Sequence, residues 1–240
     1  MSCLLDWRDS TLPYPSGVEI EYREVDRERT ALGVLVLRRY QAETGETGYE
    51  ILLDGAFLMA SHGSHAERAM AGLAHRRLAP GSRGLAVLVG GLGAGHTLRA
   101  ALDLPDVDRV VVAEIGAKVV DWNRRFFAEA NGHAVDDPRV EVVIADLAAV
   151  IADRPGAFDL MLLDVDNGPG WLAAPANAGL YTAEGITAWR RALRPHGVLA
   201  VWSPKPNPDF EAVLRSVFPT VVIETTRSPT EPPSTIYLAM

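Results

Sequence analysis

Cysteine is almost absent: Cys3 is the only one in 240 residues. An internal disulfide is therefore impossible, and so is a metal centre built on clustered cysteines. No apolar run approaches the roughly 20 residues of a membrane span. The stretch Met1–Thr11 carries Asp6, Arg8 and Asp9 where a secretory signal would need apolar side chains, so cytoplasmic residence is the expectation. Positive charge is in deficit, with 23 Lys and Arg against 31 Asp and Glu and a net charge of −8. That balance argues against nucleic acid or an anionic membrane as partner and suits a cationic small molecule. His62, His65 and His75 have no carboxylate or cysteine at zinc-ligand spacing, so no metal is expected. Ser61 and Ser64 lack a nucleophile-elbow context, and the chain has no internal repeat or low-complexity tract.

One missing glycine is the most informative absence. The run from Leu85 to Arg99, LAVLVGGLGAGHTLR, goes from apolar residues through glycines to helix formers, and it reads as strand, tight turn and helix. Leu85 to Val89 has no polar alternation, as befits a parallel strand covered on both faces. Gly91, Gly93 and Gly95 let the backbone turn sharply and approach a ligand. The dinucleotide fingerprint counted from Gly91 needs its third glycine at position 96, where His96 stands. The spacing G-x-G-x-G instead fits enzymes that bind S-adenosylmethionine, whose amino-acid tail lies over such a loop.

Hydrophobic content of 48% and a length of 240 residues allow one large domain with a small appendage. The alternation in Val18 to Val25, the β-formers of Gly33 to Tyr40 and the run Tyr49 to Leu53 predict a small antiparallel sheet. Asp54-Gly55 reads as a turn, and His65 to Leu78 as a helix stopped by Pro80-Gly81. Strands are then predicted at Ala86–Val89, Arg109–Ala113, Val140–Ala145, Leu160–Asp164, Val198–Trp202, Val221–Thr225 and Ser234–Ala239. Helices are predicted at Thr97–Leu102, Ala117–Glu129, Ala148–Asp153, Ala183–Leu193 and Asp209–Val217. The expected fold is α/β: a Rossmann-like, doubly wound, seven-stranded and mainly parallel sheet, its last hairpin antiparallel, preceded by a small antiparallel β-domain. The expected division is a β-domain over 1–60 and a catalytic, cofactor-binding domain over 61–240.

Ligands in such sheets sit at the carboxyl ends of strands, and acidic residues stand there in succession. Glu114 ends the second strand of the alternating series, about 20 residues beyond the glycine turn, where a carboxylate accepts both hydroxyls of a ribose. Asp146 follows the third and can accept from an adenine amino group. Asp164 and Asp166 follow the fourth, in LLDVDNGP. A helix cap or a turn would use any one of these residues alike. Transfer from a sulfonium to an amine needs a base for the ammonium proton, a role assigned to Asp164, with Asp166 orienting the acceptor. Asn167 can offer a carbonyl to an amine or cap its loop. Trp171 and Tyr181 flank a Pro-, Ala- and Gly-rich segment, Gly168 to Gly179, that reads as a lid or a surface loop.

Taken together, these motifs resemble the spermidine synthase, or polyamine aminopropyltransferase, family. The shared features are Leu53-Asp-Gly55, the helix bearing Glu67, the Gly91–Gly95 turn with Thr97-Leu-Arg99, and Val111-Val-Ala-Glu114. Asp137-Pro-Arg-Val140 ahead of Asp146, Phe158-Asp-Leu160 ahead of Asp164, and Leu180-Tyr181 complete the likeness. The resemblance implies a nucleoside-sulfonium donor held by Gly91, Gly93, Gly95, Glu114 and Asp146. It puts Asp164 near the acceptor amine, and His65, Glu67, Asn167 and Tyr181 around the acceptor, in a homodimer. It also places an aspartate for the propylamine nitrogen of decarboxylated S-adenosylmethionine where this chain has Ala94, a glutamine at Leu58, a tyrosine at His65 and a second aspartate at Asn167. These changes turn the expectation toward S-adenosylmethionine and methyl transfer to a small amine. Aminopropyl transfer from the decarboxylated donor is the alternative, and a scaffold that binds adenosyl ligands without turnover is a further one.

Overall fold

A computed structural model describes residues 19–240 except 64, 166, 167, 171, 173, 174, 230 and 231, and excepting the side chains of 175 and 176. Val18, the first residue of the predicted alternation, and the candidates Asp166, Asn167 and Trp171 lie outside the described residues. The chain divides into two compact units, the boundary falling after Gly63.

The first unit is an antiparallel sheet of β1 (Ile20–Thr30), β2 (Gly33–Ala42), β3 (Thr47–Leu53) and β4 (Ala56–Ala60), paired in that order. Strand β4 was not predicted. It follows from the turn that was: Asp54 and Gly55 both have positive φ, 49° and 83°, as a tight two-residue hairpin requires, so the chain folds straight back on β3. Leu35 and Leu37 face Leu53 and Ile51 across the β2–β3 ladder and are buried with them. On the opposite face Arg38 stands across from Glu50, which is fully buried. The guanidinium reaches Glu50 Oε2 through Nε and Nη2, each at 2.7 Å, and lies 3.9 Å from the centre of the Tyr22 ring. Edge strand β1 is largely charged and carries a bulge between Glu24 and Asp26, two features that discourage pairing with another chain.

The second unit holds seven strands: β5 (Leu85–Gly90), β6 (Val107–Glu114), β7 (Val140–Ile144), β8 (Phe158–Leu163), β9 (Leu193–Ser203), β10 (Val221–Thr226) and β11 (Ser234–Ala239). Their order across the sheet is β10-β11-β9-β8-β5-β6-β7. Pairings among β5 to β9 are parallel, and β11 runs antiparallel to both neighbours. Strand β5 is buried along its whole length, which is why its sequence is uniformly apolar. The chain leaves β5 toward β6 on one side and reaches β8 on the other, so the winding reverses between β5 and β8, where ligands bind in such sheets.

The helices are α1 (His65–His75), α2 (His96–Leu102), α3 (Ala117–Trp122), α4 (Ala128–Asn131), α5 (Leu147–Ala152), α6 (Ala183–Ala192) and α7 (Pro208–Val217). The predicted helix over 117–129 is not continuous: a π-helical turn, Asn123–Phe127, separates α3 from α4. Strand β9 begins at Leu193, not at the predicted Val198. Among the described residues no helix is long and apolar enough to cross a membrane.

The Arg38–Glu50 pair makes a measurable stability claim. Arg38→Met strands a buried carboxylate and is expected to cost about 3–5 kcal/mol of the first unit's stability in urea unfolding. The double change Arg38→Met/Glu50→Leu should recover most of that loss, because it removes both charges.

Candidate active site

The turn after β5 is built from backbone contacts that exclude side chains. Gly91 has φ +83°, and a Cβ there would lie 2.7 Å from the Asp164 carbonyl oxygen. The Asp164 N–H donates to the Gly90 carbonyl at 3.1 Å, so the chain leaving β8 runs against the turn leaving β5. Gly95, φ +84°, closes the turn by donating to Leu92 at 2.8 Å and precedes α2. A Cβ at Gly95 would lie 2.5 Å from Asn131 Nδ2.

Glu114, at the end of neighbouring β6, grips the same turn. Its Oε2 accepts from the Leu92 N–H at 2.9 Å and its Oε1 from the Gly116 N–H at 2.7 Å. Only 8% of the residue is exposed. Burial raises its pKa above the usual carboxylate range, against the opposing pull of backbone N–H groups. The N–H groups of Ile115 and Gly93 also reach this carboxylate, so its acceptor sites are shared among four backbone donors of the turn. Ile115 and Ile144, 50% and 55% exposed, stand at the ends of β6 and β7, and Ile144 pairs with Glu114 across the ladder. Large apolar side chains left open beside a strand-end carboxylate suit the flat face of a nucleoside base. The residues present therefore fit an adenosyl group, with Glu114 for its ribose. Asp146 is exposed and caps α5, its Oδ1 accepting from the Ala148 N–H at 2.7 Å.

Asp164, the candidate for proton transfer, stands against the glycine turn. It is half-buried at the end of β8, and its one side-chain partner among the described residues is the Thr97 hydroxyl, which donates to Oδ2 over a long 3.5 Å. Burial pushes its pKa up to about 6, with Thr97 pulling the other way. Thr97 itself is buried on α2, so the glycine turn, α2 and β8 converge on this carboxylate.

The remaining candidates are placed less centrally. His65, exposed, and Glu67, half-buried, both lie in the first turn of α1, but residues two apart on a helix do not share a face. Tyr181 sits edge-on to Trp189 and Phe210, with ring centres at 6.0 and 5.6 Å, and so is part of an aromatic cluster. Among the described residues no cluster of three or more His, Cys, Asp or Glu could hold a metal. Two buried residues escaped sequence reasoning, Asn123 and Asn131, which hydrogen-bond the turn from α3's end and from α4. Their signal is faint: an asparagine inside a helical pattern is out of place.

This sheet, with a glycine turn after its central strand and a carboxylate after the next, defines the class I methyltransferase-like fold. Over residues 69–222 the sequence matches the family described as "Spermine/spermidine synthase domain", and the chain belongs to that family. It is 37% identical over 116 residues to a polyamine aminopropyltransferase of Nitrosomonas europaea, a match covering 48% of this chain and 34% of the relative. It is 30% identical over 183 residues to a polyamine aminopropyltransferase of Prochlorococcus marinus, covering 73% of this chain and 62% of the relative. The chain thus spans less than two thirds of these relatives' length. Among solved structures, spermidine synthase from Thermotoga maritima superposes with a TM-score of 0.72 at 22% identity, covering 90% of this chain and 72% of that one.

The raised pKa of Asp164 carries a stability consequence. A carboxyl with a folded pKa near 6 and an unfolded one near the ordinary value favours the fold only while protonated. That contribution is present at low pH and is lost as pH rises through about 6. Asp164→Asn should therefore stabilise the ligand-free protein at pH 7.5 by about 1–3 kcal/mol, with the gain shrinking to nothing near pH 4. Thermal melts of both proteins across that range check this.

Proposed function

We propose that this protein transfers an aminopropyl group from decarboxylated S-adenosylmethionine to a small amine of the polyamine class. The observation that carries the reading is Asp164: a half-buried carboxylate beside the glycine turn, with a pKa raised to about 6 by burial. Family membership and the names of its relatives support the choice of transferred group. Glu114 would hold the ribose, and Gly91, Gly93 and Gly95 would admit the donor's tail close to the backbone. Asp146 would serve the adenine with the oxygen left over from capping α5.

When bound, the donor supplies a carbon activated by sulfonium: as the N–C bond forms, the C–S bond breaks and its electrons stay on sulfur. Asp164 first pairs with the acceptor's ammonium and orients it. It then takes the proton that frees the nitrogen lone pair, a transfer helped by a carboxylate pKa drawn toward neutrality. Burial keeps competing water from this carboxylate. His65, Glu67, Asp166, Asn167 and Tyr181 are proposed to surround the acceptor, in a cytoplasmic homodimer.

A second reading, methyl transfer from intact S-adenosylmethionine, is favoured by one observation. Ala94, in the turn and 5% exposed, brings no counter-charge for a propylamine nitrogen. Calorimetric titration with each donor separates the two. Tighter binding of the decarboxylated form, with a product heavier by an aminopropyl group, supports the proposal; preference for the intact form moves the assignment to methyl transfer. Binding of neither leaves a scaffold.

The base makes its own prediction. The pH profile of kcat/KM should have an acid limb with an apparent pKa near 6, and Asp164→Asn should lose about 10²–10⁴ in rate. A variant that keeps half the wild-type rate would remove Asp164 from the proton transfer.

A further inference from the structure

We infer that Asn123 and Asn131 act together as a positioning pair that holds the glycine turn in one of two available peptide orientations. The inference rests on the reading that this turn receives an adenosyl ligand. Both residues are 1% exposed. Asn123 Nδ2 donates to the Gly93 carbonyl at 2.7 Å and to the Val119 carbonyl at 3.0 Å. Asn131 Nδ2 donates to the Ala94 carbonyl at 3.0 Å and to Asn123 Oδ1 at 2.9 Å, while its own Oδ1 accepts from the Ala134 N–H at 3.2 Å. Two consecutive carbonyls of the turn are thus tied to one linked pair of amides.

The consequence follows from peptide geometry. Among the described residues no peptide bond is cis, and in a trans peptide the N–H points opposite to the C=O of the same plane. With the Gly93 carbonyl directed at Asn123, the Ala94 N–H is turned to the other face of the turn. With the Ala94 carbonyl directed at Asn131, the Gly95 N–H is turned back onto Leu92. Turning over the Ala94–Gly95 peptide changes ψ of Ala94 and φ of Gly95, and Gly95, at φ +84°, bears either sign of φ, whereas turning over the Gly93–Ala94 peptide changes φ of Ala94 and is resisted by its Cβ. A flip of the Ala94–Gly95 peptide would present a carbonyl where the Gly95 N–H now stands and would break its bond to Leu92. The asparagines suppress that alternative. The π turn Asn123–Phe127 begins at Asn123, an irregularity in the helix at the residue that reaches the turn.

Asn123→Ser is the variant of choice, because its short hydroxyl can still bond the Val119 carbonyl four residues back without reaching Gly93. Amide hydrogen exchange should show the Gly95 N–H exchanging at least tenfold faster in Asn123→Ser and in Asn131→Ser. The double variant should be no worse than the more affected single one, as expected of a coupled unit. S-adenosylhomocysteine, which carries a tail beyond sulfur, should bind about tenfold more weakly to either variant. Methylthioadenosine, which has no such tail, should keep its affinity within about twofold. Unchanged exchange at Gly95, or equal weakening of both ligands in step with a fall in Tm, would overturn the pair's positioning role. If the wild type binds neither ligand, the adenosyl reading fails by itself, and the exchange comparison still decides whether the asparagines fix the turn.

Discussion

The site depends on how closely two backbones pass, those of Gly91 and Asp164. Strands β5 and β8 are parallel neighbours, and the last ladder bond between them, Asp164 N–H to Gly90 C=O, delivers the aspartate to the edge of the glycine turn. The space a Cβ at Gly91 would occupy lies 2.7 Å from the Asp164 carbonyl, and one at Gly90 would lie 2.6 Å from the side chain of Leu163. At Gly90 the flexible ends of Leu163 and Leu147 could give way, but at Gly91 a Cβ would meet the Asp164 main chain. Any larger residue at Gly91 would push against main chain, which cannot swing aside as a flexible side chain can. The approach therefore fixes the distance between the Asp164 backbone and the glycine turn.

Two carboxylates share this region but are treated differently by the fold. Glu114 accepts from the N–H groups of Leu92 and Gly116 and so ties down the turn. Among the described residues the side-chain partner of Asp164 is the distant Thr97 hydroxyl. Burial raises the pKa of both; at Glu114 backbone N–H groups oppose that rise, and at Asp164 the distant Thr97 hydroxyl does.

The parallel strands were readable because burial on both faces demands continuous apolar runs, as in β5 and β8. The carboxylates were readable for a related reason: a charge that directly follows such a run must leave the sheet at its carboxyl end. Strand β4 was missed because AFLMA is five residues long without polar alternation, and only the hairpin geometry of Asp54-Gly55 commits it to pairing. The break in the 117–131 helix was illegible locally, since Asn123 answers a carbonyl distant in sequence, in the glycine turn. From the sequence, Tyr181 only flanks a Pro- and Gly-rich segment that reads as a lid or a surface loop. Its contacts with Trp189 and Phe210 arise from packing between α6 and α7, which periodicity in one segment does not encode.

None of the bonds that shape the turn uses the side chain of residue 94. Leu92 is held through its N–H, Gly93 and Ala94 through their carbonyls, and Gly95 through its own N–H. Position 94 can therefore exchange an acidic for an apolar residue while the cradle keeps its form. On the proposed function, a charge at position 94 would act on the donor's tail, where an uncompensated ammonium or carboxylate is costly in a desolvated pocket. The backbone, Glu114 and the two asparagines would then shape the cradle for the adenosyl group, and the side chain at 94 would discriminate between tails.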